Sequence, residues 1–279
     1  MFDLLIFTQY PKTYGPTRFK EEALKKGLNC LVKSYKHTDL NNLPDAKFVI
    51  LREPTASKNI YGLRDKILNY YVSKGSKVLN SKSYLEWSVL DKKTQEVEFK
   101  KGGIPHVETL ASDNLKYPFI AKAKLGSHGS HVFKIENESD LNAVYEKGYK
   151  KEDLLFQEFL KSGFDLRVIV VNFKVLGIMK RTPKSGDFLS NFSQGGSVEE
   201  YSGEGVEKVE SIAIKSATHF KLDYVGVDLM LGNDKQSLPA SAGGNWRVLE
   251  VNRGCQFQGF EKAIKLNVAQ SVISFFGNS

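Results

Sequence analysis

Two segments decide how this chain folds: Asp223-Tyr224-Val225-Gly226-Val227-Asp228-Leu229-Met230-Leu231 and Arg247-Val248-Leu249-Glu250-Val251-Asn252-Arg253-Gly254. Both are crowded with β-branched and aliphatic residues and bounded by turn residues, which predicts buried strands. Each also carries an acid or amide where a core strand should be apolar. Such groups are costly to bury unless they are paired or bound to a cation. Side chains two apart on a strand share a face, so Glu250 and Asn252 project together. If the two strands pair, Asp228 joins them. Two carboxylates and an amide oxygen are hard donors, suited to Mg²⁺ that keeps waters and binds substrate phosphates. The competing reading leaves these residues at strand ends in solvent.

Outward from this pair, residues 232–246 are rich in Gly, Ser, Asn and Pro and read as a long, mobile hairpin loop. Helices are expected near 205–220 and over 261–276, and strands over 165–171 and 174–181. Residues 161–279 thus form a β-rich C-terminal lobe. The lobe before it, 87–160, follows a helical segment at 83–101 that Gly102-Gly103-Ile104-Pro105 breaks. It continues with strands 118–123, 131–135 and 154–160 and a helix capped at Ser139 or Asp140. Residues 1–86 alternate strands (3–8, 30–34, 47–51, 77–80) with helices (17–27, 63–73), the pattern of a small parallel α/β lobe. Phe19, Ala23 and Leu24 are expected on the inner face of the first helix. Leu63, Ile67, Leu68 and Tyr71 are expected on that of the second.

A hydrophobic content of 41% and a charged content of 26% are those of a soluble globular protein with room for several lobes. No apolar stretch approaches the roughly 18 residues that span a bilayer, so no membrane partner is expected. The start, Met1-Phe2-Asp3-Leu4-Leu5-Ile6, has an acid inside it and reads as a strand, not a secretory leader. Cys30 and Cys255 have neither metal spacing nor a disulfide framework, and a cytoplasmic location is the expected one. The net charge of +8 comes from scattered lysines, the pattern of a solvated surface first and of acidic substrates second. With no basic run or recognition motif, nucleic acid is the least favoured partner. A homo-oligomer is compatible with all of this.

Several motifs point to anions. Lys122-Ala123-Lys124-Leu125-Gly126-Ser127-His128-Gly129-Ser130-His131 is a strand, a glycine turn and the start of another strand. Small residues let backbone N–H groups approach phosphate, and Lys122 supplies a point charge. A plain hairpin turn has the same look, and His128 and His131 read as loop residues. Leu154-Leu155-Phe156-Gln157-Glu158-Phe159-Leu160 is an apolar strand broken by two polar residues. It is either an amphipathic strand or a wall for a flat purine, with Asp165 accepting a ribose hydroxyl. Lys180-Arg181 ends a strand, and Arg181 can clamp phosphate oxygens with two bonds.

The order of the motifs says more than any one of them. Asp91-Lys92, Lys122 with its glycine loop, Gln157-Glu158-Phe159-Leu160 and Asp165-x-Arg167 come first. Lys180-Arg181, Gly186-Asp187-Phe188-x-Ser190-Asn191-x-x-x-Gly195-Gly196, Gly226-Val227-Asp228, Glu250-Val251-Asn252 and Gly259-Phe260-Glu261 follow. This series resembles the ATP-grasp superfamily, and within it the RimK-type carboxylate–amine ligases. The resemblance implies an α/β (α+β) fold with an N-terminal pre-ATP-grasp lobe (1–86), a small lid lobe (87–160) and a C-terminal antiparallel-sheet lobe (161–279). It implies that Lys92 and Lys122 hold ATP phosphates under a lid of Gly126, Ser127 and Gly129. Gln157, Glu158, Phe159 and Leu160 would form the adenine hinge, and Asp165 would meet the ribose. Ser190 and Asn191 would line the triphosphate, Arg181 would face the transferred phosphoryl group, and Asp228, Glu250 and Asn252 would bind two Mg²⁺ (or Mn²⁺).

The reaction implied is ATP-dependent amide formation between a carboxylate (amino acid, peptide or protein C-terminus) and an amine, through an acyl phosphate. Phosphoryl transfer needs mainly positioning and charge neutralisation, which fits the lack of any Ser-His-Asp or Cys-His arrangement. Three positions depart from the family's pattern: Leu189, Gln194, and Arg253-Gly254-Cys255-Gln256 after Glu250-Val251-Asn252. They lie on the substrate side, where Arg253 and Gln194 are the candidate substrate-binding residues. The alternative reading is a catalytically silent ATP-binding scaffold on the same fold.

Overall fold

The computed structural model of the 279-residue chain describes residues 1–52, 58–124, 131–184, 196–233 and 245–277. The N-terminal sheet contains β1 (Phe2–Thr8), β2 (Cys30–Ser34), β3 (Ala46–Leu51) and β4 (Lys77–Val78), all parallel, in the order β2-β1-β3-β4. Alternation along β1 divides its apolar run between two cores. Leu4 and Ile6 pack with Phe19 and Ala23 of α1 (Tyr14–Lys25), while Leu5 and Phe7 pack with Ile67, Leu68 and Tyr71 of α2 (Lys58–Ser73). Leu24, expected inward, is exposed, because one residue turns the helix by about 100° off the Ala23 face.

Three antiparallel strands make the second sheet, β5 (Phe119–Ala123), β6 (Val132–Ile135) and β7 (Leu154–Glu158), in the order β6-β5-β7. Phe119, Ala121 and Phe156 share a core with Val144 of α5 (Glu138–Glu146). The opposite face of β5 and β7 therefore carries Ile120, Lys122, Leu155 and Gln157. The cap of α5 is Asn137, whose side chain accepts from the Asp140 N–H, and not Ser139 or Asp140. The side-chain amide oxygen three residues upstream of that donor has the reach.

The third sheet is antiparallel: β8 (Asp165–Val171), β9 (Lys174–Thr182), β10 (Ser197–Glu200), β11 (Tyr224–Leu231) and β12 (Trp246–Asn252), ordered β10-β9-β8-β11-β12. Val168, Val170, Val225, Val227 and Leu229 form its inner face against α6 (Val206–His219). Phe99 of α4 (Lys92–Gly102) joins that core, so by packing α4 belongs with this sheet although it lies in the 87–160 segment. The expected continuous helix at 83–101 is two, α3 (Ser81–Glu86) and α4, with Asp91 capping the second. The expected last helix is also two. In α7 (Gln258–Ile264) the chain stops at the left-handed Lys265, and α8 (Val268–Gly277) restarts with Glu261 accepting from its Val268 N–H. Glu261 also receives Tyr14 Oη at 2.5 Å and Arg18 Nε at 3.2 Å, tying α1 to this corner. No helix among the described residues is long and apolar enough to cross a membrane.

The junction between the N-terminal and C-terminal sheets is held by Asn80, which takes the left-handed conformation (φ 58°, ψ 21°) that Asn tolerates better than most residues. Its buried amide donates to the Tyr224 and Arg253 carbonyls at 2.7 and 3.2 Å and accepts from the Tyr224 N–H at 2.9 Å. Asn80→Ala strands those backbone groups without partners. The expected loss is on the order of 3 kcal/mol, read as a lowered urea midpoint. An unchanged midpoint refutes the clamp.

Candidate active site

On the face of the third sheet opposite α6, alternation places Tyr224, Gly226 and Asp228 of β11 and Asp165, Arg167 and Ile169 of β8. Register sets Asp228 between Arg167 on one neighbour and Glu250 on the other. An irregularity between Asp228 and Leu229 lets Val248 face Leu229 and Glu250 face Asp228, leaving Leu249 as the extra residue. This bulge reverses the phase of β12. Val248 and Val251 reach the α6 core, while Glu250 and Asn252 reach the polar face.

The three expected metal residues do come together. Asn252 Nδ2 lies 3.1 Å from Glu250 Oε1 and 3.4 Å from Asp228 Oδ2. Two carboxylates and an amide whose oxygen can turn inward fit a hard divalent cation. Among the described residues no cluster of three His, Cys, Asp or Glu that could hold a metal exists, and the third polar group beside the two carboxylates is the Asn252 amide. Asp228 is already engaged. Arg167 Nε and Nη2 donate to its two oxygens at 2.8 and 2.7 Å, and Arg181 Nη2 lies 3.2 Å away. Burial works to raise the Asp228 pKa, but the two guanidiniums outweigh it and hold the carboxyl below its ordinary range.

Arg181 is itself buried and fixed by Asp165, whose Oδ1 accepts from its Nε at 2.5 Å. The Asp165 carboxylate, expected at the ribose, accepts from Arg181, and Arg181, expected at the transferred phosphoryl group, also stands against Asp228. Arg253 is also placed differently. Its guanidinium, expected at the substrate, donates to the Trp87 and Ser88 carbonyls at 2.5 and 3.1 Å and stacks 4.4 Å from the Tyr84 ring, contacts that join the lobes. Sequence reading gave no role to Arg167. Its signal, an arginine two residues after Asp165, acquires meaning only from the cross-strand register.

Lys122 comes from the other sheet. It is 8% exposed, and no carboxylate among the described residues lies within 4.0 Å of it. Burial pushes its ammonium down to about 8, against the pull of Glu250 and with the repulsion of Lys92, Glu96 pulling less. At the end of β7, Gln157 is buried and donates to the Val107 carbonyl at 2.9 Å, so it is not the exposed residue of an amphipathic strand. Glu158 pairs loosely with Arg247 at 3.5 Å, and Asn233 Nδ2 reaches the Phe159 carbonyl at 2.8 Å. Leu160 is buried. Gly126, Ser127, Gly129, Ser190, Asn191 and Gln194 lie outside the described residues, as does most of the 232–246 loop.

A three-stranded lobe carrying a buried lysine, set over an antiparallel sheet with a carboxylate–amide cluster, is the architecture of an ATP-dependent ligase. Residues 87–276 match the RimK-like ATP-grasp domain, and the chain belongs to that family, whose members join carboxylates to amines. The chain is 33% identical to a probable alpha-L-glutamate ligase of Maridesulfovibrio salexigens over 57% of its length and 50% of that protein. It is 27% identical to probable alpha-L-glutamate ligase 1 of Pseudoalteromonas atlantica over 99% of its length and 95% of that protein. Its fold superimposes with a TM-score of 0.75 on the ATP-grasp ligase PsnB, solved with a phosphomimetic variant of minimal precursor, Mg and ADP. That pair shares 18% identity, with 100% of this chain and 99% of that one covered. A ligase therefore takes precedence over a silent scaffold.

Lys122 gives a pH test of the site. Between about 8 and its ordinary 10.5 the unfolded chain holds a proton that the folded chain has released, so stability rises with pH across that window. Below pH 8 the buried charge costs roughly 3 kcal/mol. Lys122→Met is expected to be more stable than the parent by about that much at pH 7, the difference shrinking towards zero by pH 10.5. Denaturant titrations at several pH values read it out, and a Met variant that is less stable at pH 7 overturns the assignment.

Proposed function

We propose that the crevice between the second and third sheets binds ATP with Mg²⁺, two ions being the expected number and Mn²⁺ an acceptable substitute. The observation that carries this reading is the buried Lys122 ammonium, which has no carboxylate within 4.0 Å among the described residues and feels the charges of Glu250 and Lys92. A cation kept there against its desolvation cost is matched by phosphate oxygens. Lys92 and Lys122 hold those oxygens, the backbone of Glu158–Leu160 with buried Gln157 behind it forms the adenine wall, and Glu250, Asn252 and Asp228 are the cation's donors. When bound, the ion neutralises phosphate charge and polarises the transferred group. Arg167 and Arg181 keep the Asp228 carboxylate ionised and oriented. Gly126, Ser127 and Gly129 act as the lid, and Ser190, Asn191 and Gln194 as the triphosphate and acceptor side. The three lobes are assigned to 1–86, 87–160 and 161–279.

In this reading a substrate carboxylate oxygen attacks the γ-phosphorus, and the bond to the ADP oxygen breaks. The acyl phosphate so formed is attacked by an amine nitrogen, phosphate leaves, and the amine's surplus proton is lost to solvent or phosphate. The acid is an amino acid, peptide or protein C-terminus, in line with the names of the glutamate ligases it resembles. Both cysteines are buried and free, as in a reducing, cytoplasmic setting.

ADP release is expected to require carboxylate and amine together, with a product mass equal to their sum less one water. Glu250→Gln should lower kcat by about 10² to 10³. Equal ADP release without any amine, or a Gln variant at parental rate, would sink this reading.

A further inference from the structure

Arg52 follows β3 directly and stands at the carboxyl end of the parallel sheet, beside the carboxyl end of β1. The chain leaves β1 towards β2 on one side and returns to β3 on the other, so the gap between these two strand ends is the topological switch point of the sheet, where open α/β sheets take ligands. Arg52 is 6% exposed. Its Nη1 donates to the Cys255 carbonyl at 3.3 Å and its guanidinium lies 5.9 Å from the Phe19 ring centre. Among the described residues no carboxylate comes within 4.0 Å of it. A guanidinium has five N–H donors, and a buried one without a counter-charge is the opposite of what folding selects on its own.

The start of α1 faces the same point. Thr13 gives α1 no side-chain cap, its hydroxyl donating instead to the Tyr10 carbonyl. The Tyr14 and Gly15 N–H groups have no acceptor among the described residues, and Pro16 has no N–H at all. A Cβ on Gly15 would sit 3.3 Å from Arg52 Nη2, so the glycine is what lets the guanidinium and the helix start share one seat. Two free amides at the positive end of a 12-residue helix and a planar cation suit a carboxylate, which takes guanidinium N–H groups in pairs.

The seat adjoins the reacting cluster. Cys255, which receives Arg52, lies against Gly226, the β11 residue two before Asp228, and Arg167 Nη1 donates to the next carbonyl, Gln256, at 3.4 Å. Phosphate is already provided for by Lys92 and Lys122 on other elements. We infer that Arg52 and the start of α1 bind the free carboxylate of an amino-acid substrate, the carboxylate that is not joined, and so select an amino acid over a simple amine or acid. This rests on the ligase reading above and adds to it the residues that hold the free carboxylate.

The test has a binding arm and a turnover arm. Equilibrium dialysis of the full chain with ADP and Mg²⁺ against each of the twenty free amino acids should find at least one that binds. Its α-carboxamide should bind far more weakly. Arg52→Gln should weaken the free acid by on the order of 10²-fold and leave the carboxamide and ADP unaffected, erasing the preference. Arg52→Lys should recover part of it. In turnover the same variant should raise the amino-acid KM with the ATP KM and kcat unchanged. Gly15→Ala, which narrows the seat without removing charge, should move the same KM in the same direction, and guards against a folding defect in the Arg52 variants. Absence of amino-acid binding by the parent, equal binding of acid and carboxamide, or a preference that survives Arg52→Gln each overturns the inference. Loss of ADP binding or of all ATP turnover by the parent overturns the ligase reading instead.

Discussion

The rest of the site depends on the carboxylate of Asp228, 3% exposed on an inner strand of a five-stranded sheet. An unpaired charge there would be neutralised or would expel the strand. Arg167 takes both its oxygens, Arg181 stands behind, and Asp165 holds Arg181 in turn. The chain of alternating charge runs across three strands. Each member is fixed by register, so the carboxylate is held ionised and aimed without a loop to carry it. Removing any one member leaves a buried charge uncompensated, the costly way to break such a pair.

The same strand must also hold the lobe together, and alternation lets it do both. Val225, Val227 and Leu229 build the core with α6, while Tyr224, Gly226 and Asp228 look the other way. On that side Tyr224 joins Phe19 of α1 and Phe257 in one apolar cluster, so the N-terminal lobe packs directly beside the polar row. Asn80 and Glu261 fasten this contact, Asn80 through the Tyr224 backbone and Glu261 through Tyr14 and Arg18 of α1. The second sheet meets the third through a few polar links, Asn233 to the Phe159 carbonyl and Arg247 to Glu158.

Strands were legible where apolar runs are short and punctuated, and β11 and β12 stood out because their polar residues contradict their surroundings. The helix ends were less legible. The cap at Asn137 stands two residues before the Ser139 and Asp140 pair that local chemistry favours, and the turn at Lys265 that divides α7 from α8 carries no proline or glycine to announce it. Arg253 shows the limit of proximity along the chain. It follows Asn252, yet the strand's alternation sends it away from the cluster to Trp87 and Ser88.

By itself the sequence determined which residues were out of place in a strand and the order in which the basic, glycine-rich and acidic motifs occur, because periodicity and residue chemistry are local. That was enough for the fold family and the two-apart pair Glu250 and Asn252. Only the tertiary structure decided which way that pair faces. Strict alternation would put Glu250 on the side of Val248, inside the α6 core, and the extra residue at Leu249 turns it out. Likewise only pairing between strands distant in sequence makes Arg167 the partner of Asp228, and only the crossing of β1 and β3 leaves Arg52 beside the start of α1. Register and bulges depend on what the neighbouring strand presents, and no residue carries that information alone.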